Sequence, residues 1–127
     1  MLRRRNHRHY VRHKEEARAL VHARLAHFNA HYGHEVRRVF IKNSKSRWGS
    51  CSSAGNLNFN YKLIFLPQEV LDYVVVHELC HLRHFNHGPE FWLLVSQVLP
   101  NHKDLRVQLR TIERGNTTWQ KVATLLG

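Results

Sequence analysis

A segment from Pro67 to about Phe85 restricts the fold of this chain more than any other, because it has no internal Gly or Pro. Pro67 suits the first position of a helix, and Glu69 and Asp72 then lie near the positive end of the helix dipole. The following turns are apolar on almost every side, through Val70, Leu71, Tyr73, Val74, Val75 and Val76. Such a helix is buried in the middle of a domain rather than lying on its surface. We therefore predict a central helix around which the remaining elements pack.

This helix carries the pentapeptide His-Glu-Leu-Cys-His at residues 77 to 81. Two histidines four residues apart lie on one helical face, so both imidazoles can reach one metal ion with Glu78 beside them. The alternative is that His77 and His81 are hydrogen-bonded core residues and Glu78 is a nearby partner. A metal better explains imidazoles desolvated on a buried helix, so the motif predicts half of a zinc hydrolase site.

A third metal ligand is expected after the motif, because catalytic zinc usually takes three protein ligands and keeps one position for water. His84 on a straight helix would spread the three rings along about 10 Å, too far for one ion. His87 requires the chain to turn back, and Asn86 tolerates the left-handed conformation that closes a helix. Glu90 would lie in the first turn of a helix that starts at Gly88-Pro89, where it suits the helix dipole equally. We rank His87 first, Glu90 second and His84 third.

Several ordered motifs give the chain a family resemblance, and they are Lys45–Cys51 (KSRWGSC), Asn56–Asn60 (NLNFN), Val75–His81 (VVHELCH), Asn86-His87 and Phe91-Trp92. Over roughly residues 10 to 110 the chain resembles the YgjP-like zinc metallopeptidase domain, which is related to SprT-like and WLM proteins. The resemblance implies that His77, His81 and His87 are the zinc ligands and that Glu78 is the general base. It also implies a small zincin-like domain.

The pattern of the whole chain predicts an α+β fold. The predicted elements are a long N-terminal helix over 11–32, strands over 36–42, 46–52 and 57–61, the buried motif helix, and further helices after Gly88-Pro89 and over 103–114. The first two strands flank a turn at residues 43–45, so we expect a three-stranded antiparallel sheet. A short apolar segment, 122–126, follows the last helix.

The sheet is expected to lie beside the metal and to position the substrate. An unpaired strand edge could hold an extended peptide through main-chain hydrogen bonds. Arg47 and Trp48 are our candidate substrate-binding residues, although a Trp in a strand more often fills the core.

The predicted function is hydrolysis of peptide bonds by a zinc-activated water, with Glu78 taking and returning the proton. One alternative is a nucleotide pyrophosphohydrolase on the same metal centre, although the sequence contains no Gly-rich phosphate loop. Another alternative is a non-catalytic basic module with a structural zinc, which would have four protein ligands and no open position.

Charge is the second informative property, because 20 Lys and Arg against 9 Asp and Glu leave a net charge of +11. Basic residues are concentrated near the start, at Arg3, Arg4, Arg5, Arg8, Arg12 and Lys14. We predict a basic tail over 1–9, either solubilising or in non-specific contact with nucleic acid, and a single domain over 10–127. No apolar run is long enough for a bilayer, and two cysteines make no disulfide framework, so we expect a cytoplasmic protein without membrane contact.

Overall fold

The computed structural model describes residues 2–115, and the apolar segment 122–126 lies outside the described residues. The helices are α1 (Leu2–Tyr32), α2 (Gln68–His81), α3 (Pro89–Ser96) and α4 (His102–Gly115), the strands are β1 (Arg38–Lys42), β2 (Gly49–Cys51) and β3 (Asn56–Asn60), and a 3-10 helix covers Tyr61–Phe65. The predicted α+β class, with a long N-terminal helix and a small three-stranded sheet, is confirmed. Within residues 2–115, no helix is both long and apolar enough to cross a bilayer.

Helix α1 packs one narrow stripe into the core. Its buried residues recur every three or four positions, at Ala17, Val21, Leu25 and Phe28. That spacing places them on one face of a helix, which is why the sequence predicts an amphipathic element here. The helix ends where Gly33 adopts a positive φ of 64°, a conformation that residues with a Cβ rarely adopt.

Helix α1 begins at Leu2, whereas the sequence predicted a helix only from Val11. Contacts with the domain hold this early part of the helix. His9 Nδ1 lies 2.9 Å from the hydroxyl of Tyr61, and Tyr10 donates a hydrogen bond to a main-chain carbonyl of β1 at 3.0 Å. Both partners are distant in sequence, so local patterning gave no sign of them. Contact between nucleic acid and the basic residues of the N-terminal segment stays a prediction.

The sheet is mixed, and the prediction of an entirely antiparallel sheet was wrong. Its strand order is β1-β3-β2, with β1 parallel to β3 and β2 antiparallel to β3. The strand β2 covers Gly49–Cys51, which is shorter than the predicted 46–52. One edge of the sheet is therefore formed by β2.

The mixed topology arises because the connection between β1 and β2 crosses the end of β3 instead of making a tight turn. Asn60 at the end of β3 donates from Nδ2 to the carbonyl oxygens of Ser44 and Arg47, at 3.0 and 2.9 Å. Lys62 Nζ donates to the same Ser44 carbonyl at 2.8 Å. Asn60 and Lys62 are buried polar side chains that need such partners, so their hydrogen bonds fix the path of the crossing loop.

Helix α2 is the central element of the domain, as predicted. Its buried residues include the apolar run and part of the motif, namely Val70, Leu71, Tyr73, Val74, Val75, Val76, Glu78, Leu79, Cys80 and His81. The helix ends at His81 rather than near Phe85, and Pro67 is its N-cap rather than its first helical residue. Asp72 pairs with Arg24 of α1 through two hydrogen bonds of 2.7 and 2.9 Å. That ion pair connects α1 to α2 on the N-terminal side of the motif.

Candidate metal centre

The histidines of the motif lie on one face of α2, as their spacing predicted. The rings of His77 and His81 have centroids 4.7 Å apart and are nearly perpendicular to each other. His81 is buried, whereas His77 is only partly buried. Glu78 lies beside them, with its Oε2 3.4 Å from His77 Nδ1. The first part of the predicted site is thus assembled by a single helix.

The chain turns back directly after α2 and brings His87 onto the motif. Nε2 of His87 lies 2.8 Å from Nε2 of His81. Asn86 does not adopt the left-handed conformation that its residue type allows at this turn, because none of the non-glycine residues that the structure describes has a positive φ. Instead, the turn continues with right-handed residues, in which the amides of Arg83 and His84 both donate to the Cys80 carbonyl at 3.1 Å. Gly88 and Pro89 then start α3.

The three histidines form a group that fits one metal ion. One ring nitrogen from each of His77, His81 and His87 lies within 4.8 Å of the others. Tetrahedral zinc with Zn–N bonds of 2.0–2.1 Å would require nitrogens roughly 3.3 Å apart. Small side-chain rotations therefore suffice to bring the three nitrogens to that spacing, and the donor set suits zinc.

A hydrogen bond fixes the tautomer of His81. Its Nδ1 lies 2.9 Å from the main-chain oxygen of His84, and a carbonyl only accepts, so Nδ1 carries the proton. The lone pair of Nε2 is then directed toward His87. Metal-binding histidines in proteins commonly have such a partner, which orients the ring and raises its basicity toward the metal.

The pKa values of two of these histidines lie below the usual value of 6.5. Burial lowers the pKa of His81, the His84 carbonyl opposes that effect, and a charged His77 lowers it further. Burial also lowers the pKa of His87, and charge on His77 and His81 adds to this effect. Both rings are consequently neutral near pH 7, which is the form that binds a metal.

The other two third-ligand candidates lie outside the group of three. His84 contributes its main-chain oxygen to His81, while its own Nδ1 lies 3.8 Å from Glu90 Oε2. The side chain of Glu90 is 84% exposed at the start of α3. The predicted ranking, with His87 ahead of Glu90 and His84, matches this arrangement. Metal binding by His77, His81 and His87 stays a prediction.

Aromatic rings enclose one side of the histidine group. The ring of Phe91 is fully buried, with centroids 4.5 Å from His81 and 5.1 Å from His87. Trp92 lies 5.9 Å from His87 and stacks on His102 at 5.1 Å. These rings pack against His81 and His87, although His87 itself remains exposed.

Strand β2 packs directly against the glutamate of the motif. Glu78 is only 6% exposed, and its side chain meets the main chain of Gly49. A Cβ at residue 49 would also lie 3.1 Å from the carbonyl oxygen of Asn58. Only glycine fits between these groups without displacing them. The resemblance named Gly49 within a motif, but only the structure connects it to Glu78.

A cleft of about 260 Å³ opens beside His77 and Glu78. The candidates Arg47 and Trp48 line it, and Trp48 also packs on the core and donates from Nε1 to Glu113 Oε1 at 2.7 Å. Trp48 therefore lies between the core and the cleft. Substrate binding by either residue stays a prediction.

Three further cleft residues were missed from the sequence, namely Tyr73, Arg106 and Arg110. Burial raises the pKa of Tyr73, and the positive charges of the two arginines partly oppose this effect. Spacing indicates only which of these residues share a helical face, not that α4 approaches the cleft. Tyr73 precedes His77 by four residues, and the arginines of α4 are also four apart, so each pair shares a helical face.

In an α+β domain, a buried helix that brings histidines and a glutamate together beside an open cleft is the arrangement of a metallopeptidase. The chain belongs to the YgjP-like family, because the sequence model described as YgjP-like, metallopeptidase domain, matches residues 3–112. This confirms the resemblance deduced from the motifs. Membership implies a divalent metal and a peptide or protein substrate.

The fold is similar to a solved crystal structure, that of the metallopeptidase zymogen of Pyrococcus abyssi abylysin. The two share 26% sequence identity with a TM-score of 0.65, over 72% of this chain and 92% of that chain. Comparison with curated protein sequences gave no significant match. Family and structural similarity thus agree on a metallopeptidase type of domain.

Proposed function

We propose that this chain is a zinc-dependent peptidase in which His77, His81 and His87 hold the metal and Glu78 is the general base. The observation that carries the proposal is the convergence of three imidazole nitrogens within 4.8 Å beside a buried glutamate. An adjoining cleft of about 260 Å³ gives a substrate access to the same residues.

The number of candidate ligands favours a catalytic over a structural metal. Among residues 2–115, the group that could hold an ion consists of three histidines, without a Cys, Asp or Glu as a fourth member. A structural zinc normally has four protein ligands, whereas a catalytic zinc keeps one position for water. The non-catalytic alternative lacks that fourth ligand.

When bound, zinc would polarise the scissile carbonyl and acidify an attacking water. Glu78 is placed to take the proton from that water and to deliver it to the leaving amine. Gly49 packs against the Glu78 side chain and limits its movement, which reduces the reorganisation needed during proton transfer. Tyr73 lines the same cleft, where a phenol can donate a hydrogen bond to a developing oxyanion.

The outer edge of β2 offers a place for the substrate main chain. The amide of Asn60 donates to the Trp48 carbonyl and that of Ser52 to the Asn56 carbonyl, so Trp48 and Ser52 face β3. In an antiparallel pair these groups alternate, so the main-chain groups of Gly49 and Cys51 point away from β3. An extended peptide could pair with them next to Glu78, as the sequence predicted for an unpaired edge.

The proposal is tested by assaying the purified protein with casein and a quenched peptide library after measuring its metal content. We expect one zinc per chain, and Glu78→Gln should retain that zinc while losing cleavage by a factor of roughly 10³ or more. Nucleoside triphosphates are assayed in parallel for pyrophosphate release. Release that depends on Glu78, without any peptide cleavage, would contradict the proposal and favour the nucleotide alternative.

A further inference from the structure

Three arginines surround the cleft beside the histidine group. Arg106 and Arg110 reach it from α4, and Arg47 reaches it from the loop before β2. All three side chains are exposed to solvent, and the same cavity is lined by His77 and Glu78. Guanidinium groups from two separate elements therefore converge on the place where a substrate would lie.

Among residues 2–115, none of these three arginines takes part in a salt bridge. The salt bridges that the structure describes in residues 2–115 involve other cations, at His13, Arg18, Arg24, His77 and His84. The acidic residues that line the cleft are Glu78 and Glu113. Glu113 accepts the hydrogen bond from Trp48, and Glu78 belongs to the proposed catalytic group. The three arginines thus share the cleft with two glutamates that already have other roles. A bound metal would add further positive charge to the cleft.

One of the arginines is also held by an aromatic ring. The guanidinium carbon of Arg106 lies 5.9 Å from the centroid of the Trp92 ring, which itself stacks on His102. A cation–π contact of this kind restricts a long side chain, and Arg106 also lines the cleft. Arg106 is therefore partly preorganised for an anion close to His87.

We propose that the cleft selects peptides with a glutamate or aspartate next to the scissile bond, and that Arg47, Arg106 and Arg110 are the specificity-determining residues. This inference rests on the proposed peptidase function. The planar guanidinium donates two parallel hydrogen bonds to a carboxylate, which an amide of the same shape accepts only poorly. The pocket therefore separates Glu from Gln by charge rather than by size.

The test uses zinc-loaded full-length protein and peptides that differ at a single position, which carries Glu, Gln or Lys on either side of the cleaved bond. We expect kcat/KM for the Glu peptide to exceed that for the Gln peptide by roughly tenfold to a hundredfold. Arg106→Gln and Arg110→Gln should each lower this Glu-to-Gln ratio several-fold. Lys103→Gln removes the same charge from α4 outside the cleft, and it should leave the ratio unchanged.

A charge reversal separates recognition from a structural role. Arg110→Glu should move the preference toward the Lys peptide, which damage to the fold would not do. Equal kcat/KM for Glu and Gln peptides would overturn the proposed preference for acidic residues while leaving the proposed peptidase function in place. If no peptide is cleaved and nucleoside triphosphates are hydrolysed instead, both proposals fail, and the arginines are assigned to phosphate groups.

Discussion

Gly49 lies so close to Glu78 that a methyl group at residue 49 would be 2.9 Å from Glu78 Cγ and 3.2 Å from its Oε2. Two elements that are distant in sequence, the edge strand and the motif helix, meet at this contact. The contact leaves the carboxylate little freedom, and it explains why β2 has glycine where the strand approaches the helix.

Gly49→Ala should therefore impair catalysis more than metal binding. The added Cβ must push the carboxylate or the strand aside, and a misplacement of about 1 Å can cost about 100-fold in rate. We expect a kcat reduced by roughly 10- to 100-fold with unchanged zinc content. Ser50→Ala, on the opposite face of the same strand, is the matched control. Normal kcat in Gly49→Ala would show that Glu78 tolerates displacement.

The two histidines that follow the motif should differ in their effect on metal affinity. His87 offers Nε2 to the cluster, whereas His84 offers only its main-chain oxygen to His81. His87→Ala should weaken zinc binding by a large factor, roughly 10³ or more, because one of three ligands is lost. His84→Ala keeps the main-chain oxygen, so it should change affinity by less than about tenfold. Competition with a chromophoric chelator measures both, and equal effects would contradict the assignment of His87.

Local patterning predicted the motif helix and its histidines because the relevant distances are set within one or two helical turns. His77 and His81 share a face by their spacing alone, and the apolar run before them indicated burial. His87 ranks first because His84 lies too far along a straight helix and Glu90 suits the helix dipole equally. These parts of the site required no knowledge of the remaining fold.

Long-range pairing could not be deduced in the same way. The turn predicted at residues 43–45 fits a hairpin between two adjacent strands. The structure instead has a loop that crosses the end of β3, held by hydrogen bonds from Asn60 and Lys62 to the Ser44 carbonyl. No role for the arginines of α4 was predicted from the sequence, because their approach to the cleft depends on how α4 packs on α2. Sequence patterning identifies which face of a helix is polar, but it does not identify which surface that face meets.

The ion pair between Arg24 and Asp72 should contribute measurably to stability. Arg24→Ala would leave the carboxylate of Asp72, whose side chain is 11% exposed, without its two hydrogen bonds. We expect a loss of about 1–3 kcal/mol in the free energy of unfolding. Arg18 pairs with Glu15 at the surface, so Arg18→Ala should cost less than about 1 kcal/mol. Urea unfolding of both variants makes the comparison, and equal losses would show that the pair to Asp72 behaves as a surface contact.

Lys62 should make stability depend on pH in the alkaline range. It is 2% exposed, and burial lowers its pKa from 10.5 to about 8. Between these two values the unfolded chain binds more protons than the folded one, so raising the pH favours the folded state. The cysteines act in the opposite direction, because burial raises the pKa of Cys51 and Cys80 to about 11.

The Lys62 contribution is therefore isolated by comparing wild type with Lys62→Met at each pH. The stability of wild type relative to this variant should rise from pH 8 to about pH 10.5, by up to about 3 kcal/mol. Because the cysteines are present in both proteins, their effect cancels in the difference. Urea unfolding at steps of half a pH unit measures the curve. A difference independent of pH would mean that Lys62 keeps its ordinary pKa, with the Ser44 carbonyl compensating for burial.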